Sequence, residues 1–211
     1  MICVSISHMA QISSVLQSDF ELIELRLDLI KEEPRTIYSR ITGAVKSVAT
    51  CRPDGYSEIE RITLLKECMD LGASFVDIEV ESSESLVKEL RGHVKSCGTE
   101  LIISYHNFEQ TPGRQELTRM LNRCYERGGA IAKIATRVNS LKDTRNLISL
   151  YDLPGRKVVI GMGEKGRITR VMAPFLGAEF TFASPETGGE TAPGQLSVSQ
   201  LNELYKMINQ S

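Results

Sequence analysis

One lysine in this sequence stands where lysines are rare. Lys133 lies in the middle of the apolar run Ala130-Ile131-Ala132-Lys133-Ile134-Ala135-Thr136-Arg137, with Gly128-Gly129 before it and Asn139-Ser140 after it. A short apolar run closed by turn residues reads as a buried strand. Burial strips hydration from an ammonium and disfavours its charged form, and a neutral amine is what attacks a carbonyl to form a Schiff base. The competing readings are a strand-end lysine with its ammonium in water, or a lysine paired with a buried carboxylate. His106 is the second candidate. It closes the run that precedes that of Lys133, and a neutral imidazole beside an iminium takes and returns a proton near neutral pH. The remaining histidines, His8 and His93, read as a loop residue and a helix-surface residue.

Other residues suggest chemistry that the pattern does not favour. Glu24, Asp28, Asp77, Glu79 and Glu81 could hold a divalent metal together with His106. Arg26, Arg52 and Arg137 interleave with these acids, so ion pairing explains them better and no metal is expected. Gly161-Met162-Gly163-Glu164-Lys165-Gly166 is a literal GxGxxG between a strand and a helix. A dinucleotide site, however, wants this motif in the first unit and an acid closing the next strand. Here the motif falls in the seventh unit, and Glu179 opens the next run. A turn that shapes a barrel mouth is the expectation, without a nucleotide cofactor. Arg170, in the first turn of the helix that follows, is placed to meet an anion, or else is a solvated surface arginine. The glycine- and proline-rich segment Ser184 to Gln195 reads as a movable lid.

The elements that must position these groups recur along the chain. Eight β-prone runs occupy 2–7, 20–28, 47–52, 75–81, 100–106, 131–137, 157–162 and 179–184. Helical stripes lie between them, such as Ile59, Ile62, Leu65 and Met69 behind a Ser57-x-x-Glu60 capping box. Shorter helices are expected at 8–18 and 35–42. Strict alternation without a linker predicts a closed (β/α)₈ TIM barrel over residues 1–211 as a single catalytic domain, with an open doubly wound sheet as the competing architecture. Period-two parity sharpens this. It sets Glu24, Arg26 and Asp28 on one strand face, as it does Asp77, Glu79 and Glu81, Thr50 and Arg52, Ser104 and His106, and Lys133, Ala135 and Arg137. In a barrel those polar faces turn into the lumen.

Composition limits the partners. The 211 residues carry a net charge of -2, with 41% hydrophobic and 25% charged residues, and suggest neither nucleic acid nor membrane as partner. No apolar run approaches the roughly 20 residues of a membrane span, and the N-terminus lacks the basic region of a signal peptide. Five widely spaced cysteines without a CxxC pair argue against a disulfide framework or a structural zinc site, and suggest a cytoplasmic protein.

In combination the motifs are specific. Glu24-Leu25-Arg26-Leu27-Asp28, Thr50-Cys51-Arg52, Ser104-Tyr105-His106-Asn107-Phe108, Lys133-Ile134-Ala135, the segment Gly161 to Arg170 and Ala192-Pro193-Gly194-Gln195 occur in the order found in type I 3-dehydroquinate dehydratases. From end to end the chain resembles that family. The resemblance implies a shikimate-pathway hydro-lyase without metal or cofactor, acting on 3-dehydroquinate and possessing a tendency to form homodimers. Lys133 matches the family's Schiff-base lysine and His106 its general acid/base. Arg170 matches the arginine that holds the substrate carboxylate. Glu24, Arg26, Arg52 and Gln195 match residues that order the substrate, Met162 an apolar contact under the ring, and Asp77 an acid near the lysine–histidine pair. Three positions depart from the pattern. The acid that supports the histidine in the family corresponds here to Asp54, Glu58 or neither, the lid serine is Thr191, and the aspartate after the histidine is Asn107. The alternatives are another lysine-dependent barrel, such as a class I aldolase, or a non-catalytic binding barrel.

Overall fold

Eight parallel strands carry the chain around a barrel: β1 (Ile2–Ile6), β2 (Leu22–Arg26), β3 (Lys46–Thr50), β4 (Phe75–Glu79), β5 (Glu100–Asn107), β6 (Ile131–Arg137), β7 (Lys157–Met162) and β8 (Thr181–Ala183). The computed structural model describes residues 1–17, 20–41, 45–185 and 189–209. Helices α1 (Met9–Leu16), α2 (Leu27–Ile30), α3 (Pro34–Ile41), α4 (Glu58–Asp70), α5 (Glu84–Cys97), α6 (Arg114–Glu126), α7 (Leu141–Ile148), α8 (Arg167–Met172) and α9 (Val198–Asn209) fill the connections. The ladder runs β7-β6-β5-β4-β3-β2-β1-β8. Two backbone bonds bridge the remaining seam, Glu179 N to Lys157 O at 3.0 Å below and Gly163 N to Pro193 O at 2.9 Å at the mouth. The barrel is therefore nearly closed. Among the described residues no helix is long and apolar enough to cross a membrane.

Strands covered on both faces must be apolar on both, and the lower half of this barrel obeys. Outward side chains such as Ile23, Ala49, Ile78, Ile103, Ile134 and Val159 pack against the helices. Inward, Cys3, Leu22, Val48, Phe75, Ile102, Ile131, Val158 and Phe180 plug the lumen. One inward position further up each strand, the type changes. Glu24, Thr50, Asp77, Ser104 and Lys133 follow Leu22, Val48, Phe75, Ile102 and Ile131, and all five are buried. The apolar plug thus forms the floor on which a polar layer stands.

The expected parity holds until the strands end. β2 stops at Arg26 and the chain turns into α2, which closes at Lys31 with a left-handed φ of 56°. Asp28 therefore belongs to a helix, although it stays buried against Arg26. β4 stops at Glu79, and Glu81 is exposed in the turn beyond it, outside the lumen. The capping box at Ser57 forms as expected, with Ser57 N donating to Glu60 Oε2 at 2.7 Å and Glu60 N to Ser57 Oγ at 3.3 Å. The expected helices 8–18 and 35–42 form as α1 and α3, and their last positions, Ser18 and Thr42, lie outside the described residues.

Candidate active site

The upper barrel opens into a cavity of about 320 Å³, within the range of small-molecule sites. Lys133, His106, Glu24, Arg26, Arg52, Arg170, Met162, Thr191 and Gln195 all line it. Residues scattered over more than 170 positions meet here because each sits on the upper half of a strand, in the loop that follows or, for Arg170, on α8.

Lys133 takes the second of its competing readings, a buried carboxylate partner. Only 5% of the residue is exposed. Its Nζ donates to Asp77 Oδ2 at 2.8 Å and lies 3.7 Å from Glu24 Oε1. The same Nζ stands 4.2 Å from the centroid of the Phe182 ring, a cation–π contact. Asp77 binds Arg52 as well, with Nη1 donating at 3.0 Å, and accepts from Ser104 Oγ at 2.6 Å. Burial alone would raise the Asp77 carboxyl, yet Arg52 and Lys133 beside it hold it well below the usual carboxylate range. Glu24 accepts from Ser5 Oγ at 2.8 Å and Thr50 Oγ1 at 3.1 Å. Ser5 in turn accepts from Gln195 Nε2 at 3.2 Å, and Gln195 Oε1 accepts from Thr191 N and Oγ1 at 2.9 and 3.1 Å. An ion pair to Glu24 and a chain of hydrogen bonds beyond it thus join Lys133 to the loop after β8.

His106 is two residues along β5 from Ser104, the register partner of Lys133. Strand geometry places the two Cα atoms about 8 Å apart, with both side chains on the lumen face. The ring stacks on Phe108, with centroids 6.0 Å apart and planes 10° from parallel. Burial, reinforced by Arg52 and Lys133, pushes the imidazole well below its ordinary value, so it is neutral at neutral pH. Asn107 accepts from Glu109 N at 3.0 Å and Gln110 N at 2.9 Å. An aspartate would form the same turn, which explains why this departure is tolerated.

Around the cavity, the carboxylates of Glu24, Asp28, Asp77 and Glu79 pair with Lys133, Arg26, Arg52 and Arg61. Arg170 stands apart from these pairs. It is not the solvated surface arginine of the alternative reading, being only 1% exposed. Among the described residues its guanidinium makes one long hydrogen bond, Nη1 to Phe182 O at 3.4 Å, and its Nε has no partner. Burial lowers its pKa to about 10, which leaves it charged at neutral pH.

The glycine-rich turn does what the barrel-mouth reading expects. Gly163 N and Gly166 N donate to Pro193 O and Gly163 O, so the amides a pyrophosphate would need are already used. A Cβ on Gly194 would stand 2.4 Å from Gly163 O, so glycine at 194 is what lets the two mouth loops touch. In the expected lid, Glu186, Thr187 and Gly188 lie outside the described residues.

One expected site residue is elsewhere. Glu58 does not line the cavity. Its carboxylate accepts from Ser85 Oγ at 3.0 Å and Leu86 N at 3.2 Å, and from Ser83 Oγ, so it caps the N-terminus of α5. Exposed helix amides at hydrogen-bond distance are a stronger draw than a histidine across the mouth. Asp54, the other candidate, does line the cavity. Sequence reasoning missed Ser5, Phe182 and Arg61. Inward parity on β1 and β8 signalled the first two. Arg61 had no signal, being a buried helix arginine that donates to Cys51 O at 2.8 Å and pairs with Glu79.

Comparison with known proteins agrees with this geometry. A type I 3-dehydroquinase family model matches residues 2–211. A 3-dehydroquinate dehydratase of Methanocaldococcus jannaschii is 35% identical over 198 residues, covering 90% of this chain and 88% of that protein. The Aquifex aeolicus 3-dehydroquinate dehydratase structure superposes with a TM-score of 0.84 at 29% identity, each chain covered fully. A Clostridium difficile type I enzyme, at 22% identity and a TM-score of 0.87 over 99% of this chain and 92% of that one, shares the fold. A match across the whole length, in which the lysine strand, the histidine strand and the buried arginine meet at one mouth, has one consequence: the chain belongs to the type I 3-dehydroquinase family.

Proposed function

We propose that this chain is a 3-dehydroquinate dehydratase, eliminating water in the syn sense through a Schiff base on Lys133. The observation that carries the reading is a buried lysine and a buried arginine on one cavity, the arginine having no carboxylate within ion-pair distance among the described residues. A substrate with a ketone and a carboxylate satisfies both ends at once. Arg170 supplies a planar fork to the carboxylate and is relieved of an unpaired buried charge. This also separates the reading from an aldolase, whose phosphorylated substrates call for a phosphate site in the same loops.

Each residue then has a step. His106, neutral at rest, takes the proton that Lys133 gives up as its Nζ attacks the ketone carbon, and returns a proton as water leaves to form the iminium. The iminium draws electrons from the adjacent C–H bond. His106 removes that proton, the pair moves to nitrogen as an enamine, and the imidazolium protonates the hydroxyl that departs. Water then attacks the iminium carbon, releasing 3-dehydroshikimate and free lysine. Glu24, Arg26, Arg52, Thr191 and Gln195 bind hydroxyls and fix the loop, Met162 packs under the ring, and Asp77 positions Lys133. The chain acts as one catalytic barrel in the cytoplasm, where its five free cysteines remain reduced, and as a homodimer in solution.

Intact-protein mass spectrometry after incubation with 3-dehydroquinate and borohydride tests this. One adduct is expected, mapping to Lys133 and missing in Lys133→Ala. Folded protein without an adduct would remove the Schiff base from the reading.

A further inference from the structure

At the pole opposite the cavity, the ends of two neighbouring helices bring together three ligand types that the reaction does not use. α4 ends at Asp70, and α5 carries His93 and Cys97 in its last turns, at i and i+4 on one face. His93 Nε2 is 2.7 Å from Asp70 Oδ1, and Cys97 Sγ donates to the same oxygen at 3.3 Å. One ligand atom from each residue lies within 4.8 Å of the other two. The chain separations hide this grouping, since Asp70 is 23 residues from His93.

We propose that Asp70, His93 and Cys97 form a surface site for a zinc-like divalent transition metal. With metal–ligand bonds of about 2.0–2.3 Å, the edge of a tetrahedron is roughly 3.3–3.8 Å. The present separations lie close to that, so side-chain rotations of under about 1 Å suffice. Thiolate, imidazole and carboxylate together suit zinc or cobalt and not magnesium or calcium, which prefer oxygen alone. Both helices present their C-termini here, where the partial negative charge of the unpaired carbonyls favours a cation. The nearest cation, Lys66, lies one turn back on α4 and is neutralised by Glu89 at 2.6 Å. The other charged residue of this turn of α5 is Lys95. On binding, the Cys97 thiol releases its proton to solvent, and the His93 ring holds its hydrogen on Nδ1 so that Nε2 offers a lone pair. The fourth position faces solvent and takes water or a ligand from another molecule.

Accessibility makes the test selective. Cys97 is half-exposed, whereas Cys3, Cys51, Cys68 and Cys124 are buried. Cobalt(II) chloride titrated into the reduced, metal-free protein is expected to bind at one equivalent and give a thiolate-to-cobalt charge-transfer band. Zinc displaces the cobalt and abolishes the band. Cys97→Ser loses the band, His93→Ala loses it or needs far more cobalt, and both keep full turnover because the site lies away from the cavity. Zinc should also protect Cys97 from iodoacetamide, read peptide by peptide. Absence of the band in wild-type protein, or a band that survives in folded Cys97→Ser, would overturn the assignment.

Discussion

The two walls of the cavity hold buried cations in opposite states. On the wall from β2 to β6, Arg26, Arg52 and Lys133 each have a carboxylate, and Lys133 has two. On the wall from β7 to β8, Arg170 is as deeply buried, with one long bond to a carbonyl and none to an acid. The first wall is complete within the protein, and its network fixes where the lysine amine points. On the proposed function, a substrate carboxylate would complete the second wall. A buried charge without a partner costs stability. The two walls should therefore answer differently to mutation.

The lysine gives the largest break. Lys133→Ala should reduce turnover to background and abolish borohydride trapping. His106→Ala should follow with a fall in kcat of about 10³–10⁴-fold, at the upper end for one acid/base group because the proposed mechanism asks it for several proton transfers. Trapping should persist there at a reduced rate, and near-normal turnover would sink the base assignment. Since burial and neighbouring cations lower the pKa of His106, its base form persists below the usual histidine range. The rate should stay level through pH 6.5 and fall only as the pH drops below the depressed value. Arg52→Met, which removes a cation that lowers it, should move this acid limb to higher pH.

Asp77→Asn tests the filled wall. It breaks contacts to Lys133, Arg52 and Ser104 in a fully buried group. Glu24 still faces Lys133 and Glu79 still pairs Arg52, so the cost stays below the roughly 3–5 kcal/mol of a buried charge left alone, a fall in Tm of under roughly 10 °C for a chain of this size. The sign with pH is fixed too. The folded carboxyl titrates below its unfolded value of about 3.9, so its contribution is complete above that pH and is lost as the pH falls below it. The variant should therefore lose less stability on acidification than the parent. Arg170→Met tests the open wall and should do the reverse. Without an unpaired buried charge the Tm should rise by about 2–4 °C, while kcat/KM falls roughly 10–100-fold for want of a charged hydrogen-bond partner. A lower Tm in Arg170→Met would show that the guanidinium is satisfied, and the contrast between the walls would fail.

Much of this was legible in the sequence, for a physical reason. Strands buried on both faces read as contiguous apolar runs, so β1 to β8 fall within a few residues of the expected spans. Period-two parity then sorted Glu24, Asp77, Ser104, His106 and Lys133 to one side of the sheet without any tertiary information. Parity fails where the strand stops, which depends on loop packing and not on residue type. Asp28 and Glu81 were misplaced for that reason. Lys133 was read from burial as an amine short of water, whereas its immediate surroundings are carboxylates 56 and 109 positions away in the chain. Pairings at that separation leave no local pattern. Arg61 shows the same limit, since a charged residue on an amphipathic helix reads as surface until the strand beneath it supplies a carboxylate.

The smallest effect belongs to Glu58 and concerns a contact that sequence order suggested and the fold refuses. Glu58 follows Arg52 closely enough to reach His106 only if the chain between them stays at the mouth. Instead Ser57 caps α4, and the helix starts with Glu58 facing the neighbouring α5, where it accepts from Leu86 N and Ser85 Oγ. The bond from Ser83 Oγ, with those from Ser85 and Leu86, holds its carboxyl below the usual range, an effect that belongs to helix capping and not to catalysis. Glu58→Gln should therefore leave kcat/KM and its acid limb unchanged, with at most a slightly lower Tm, as for a lost exposed cap. Asp54→Asn is the matching change within the cavity. A shifted acid limb in Asp54→Asn alone would assign the histidine's support to Asp54, and a shift in Glu58→Gln would mean that the α4 terminus reorganises when substrate binds.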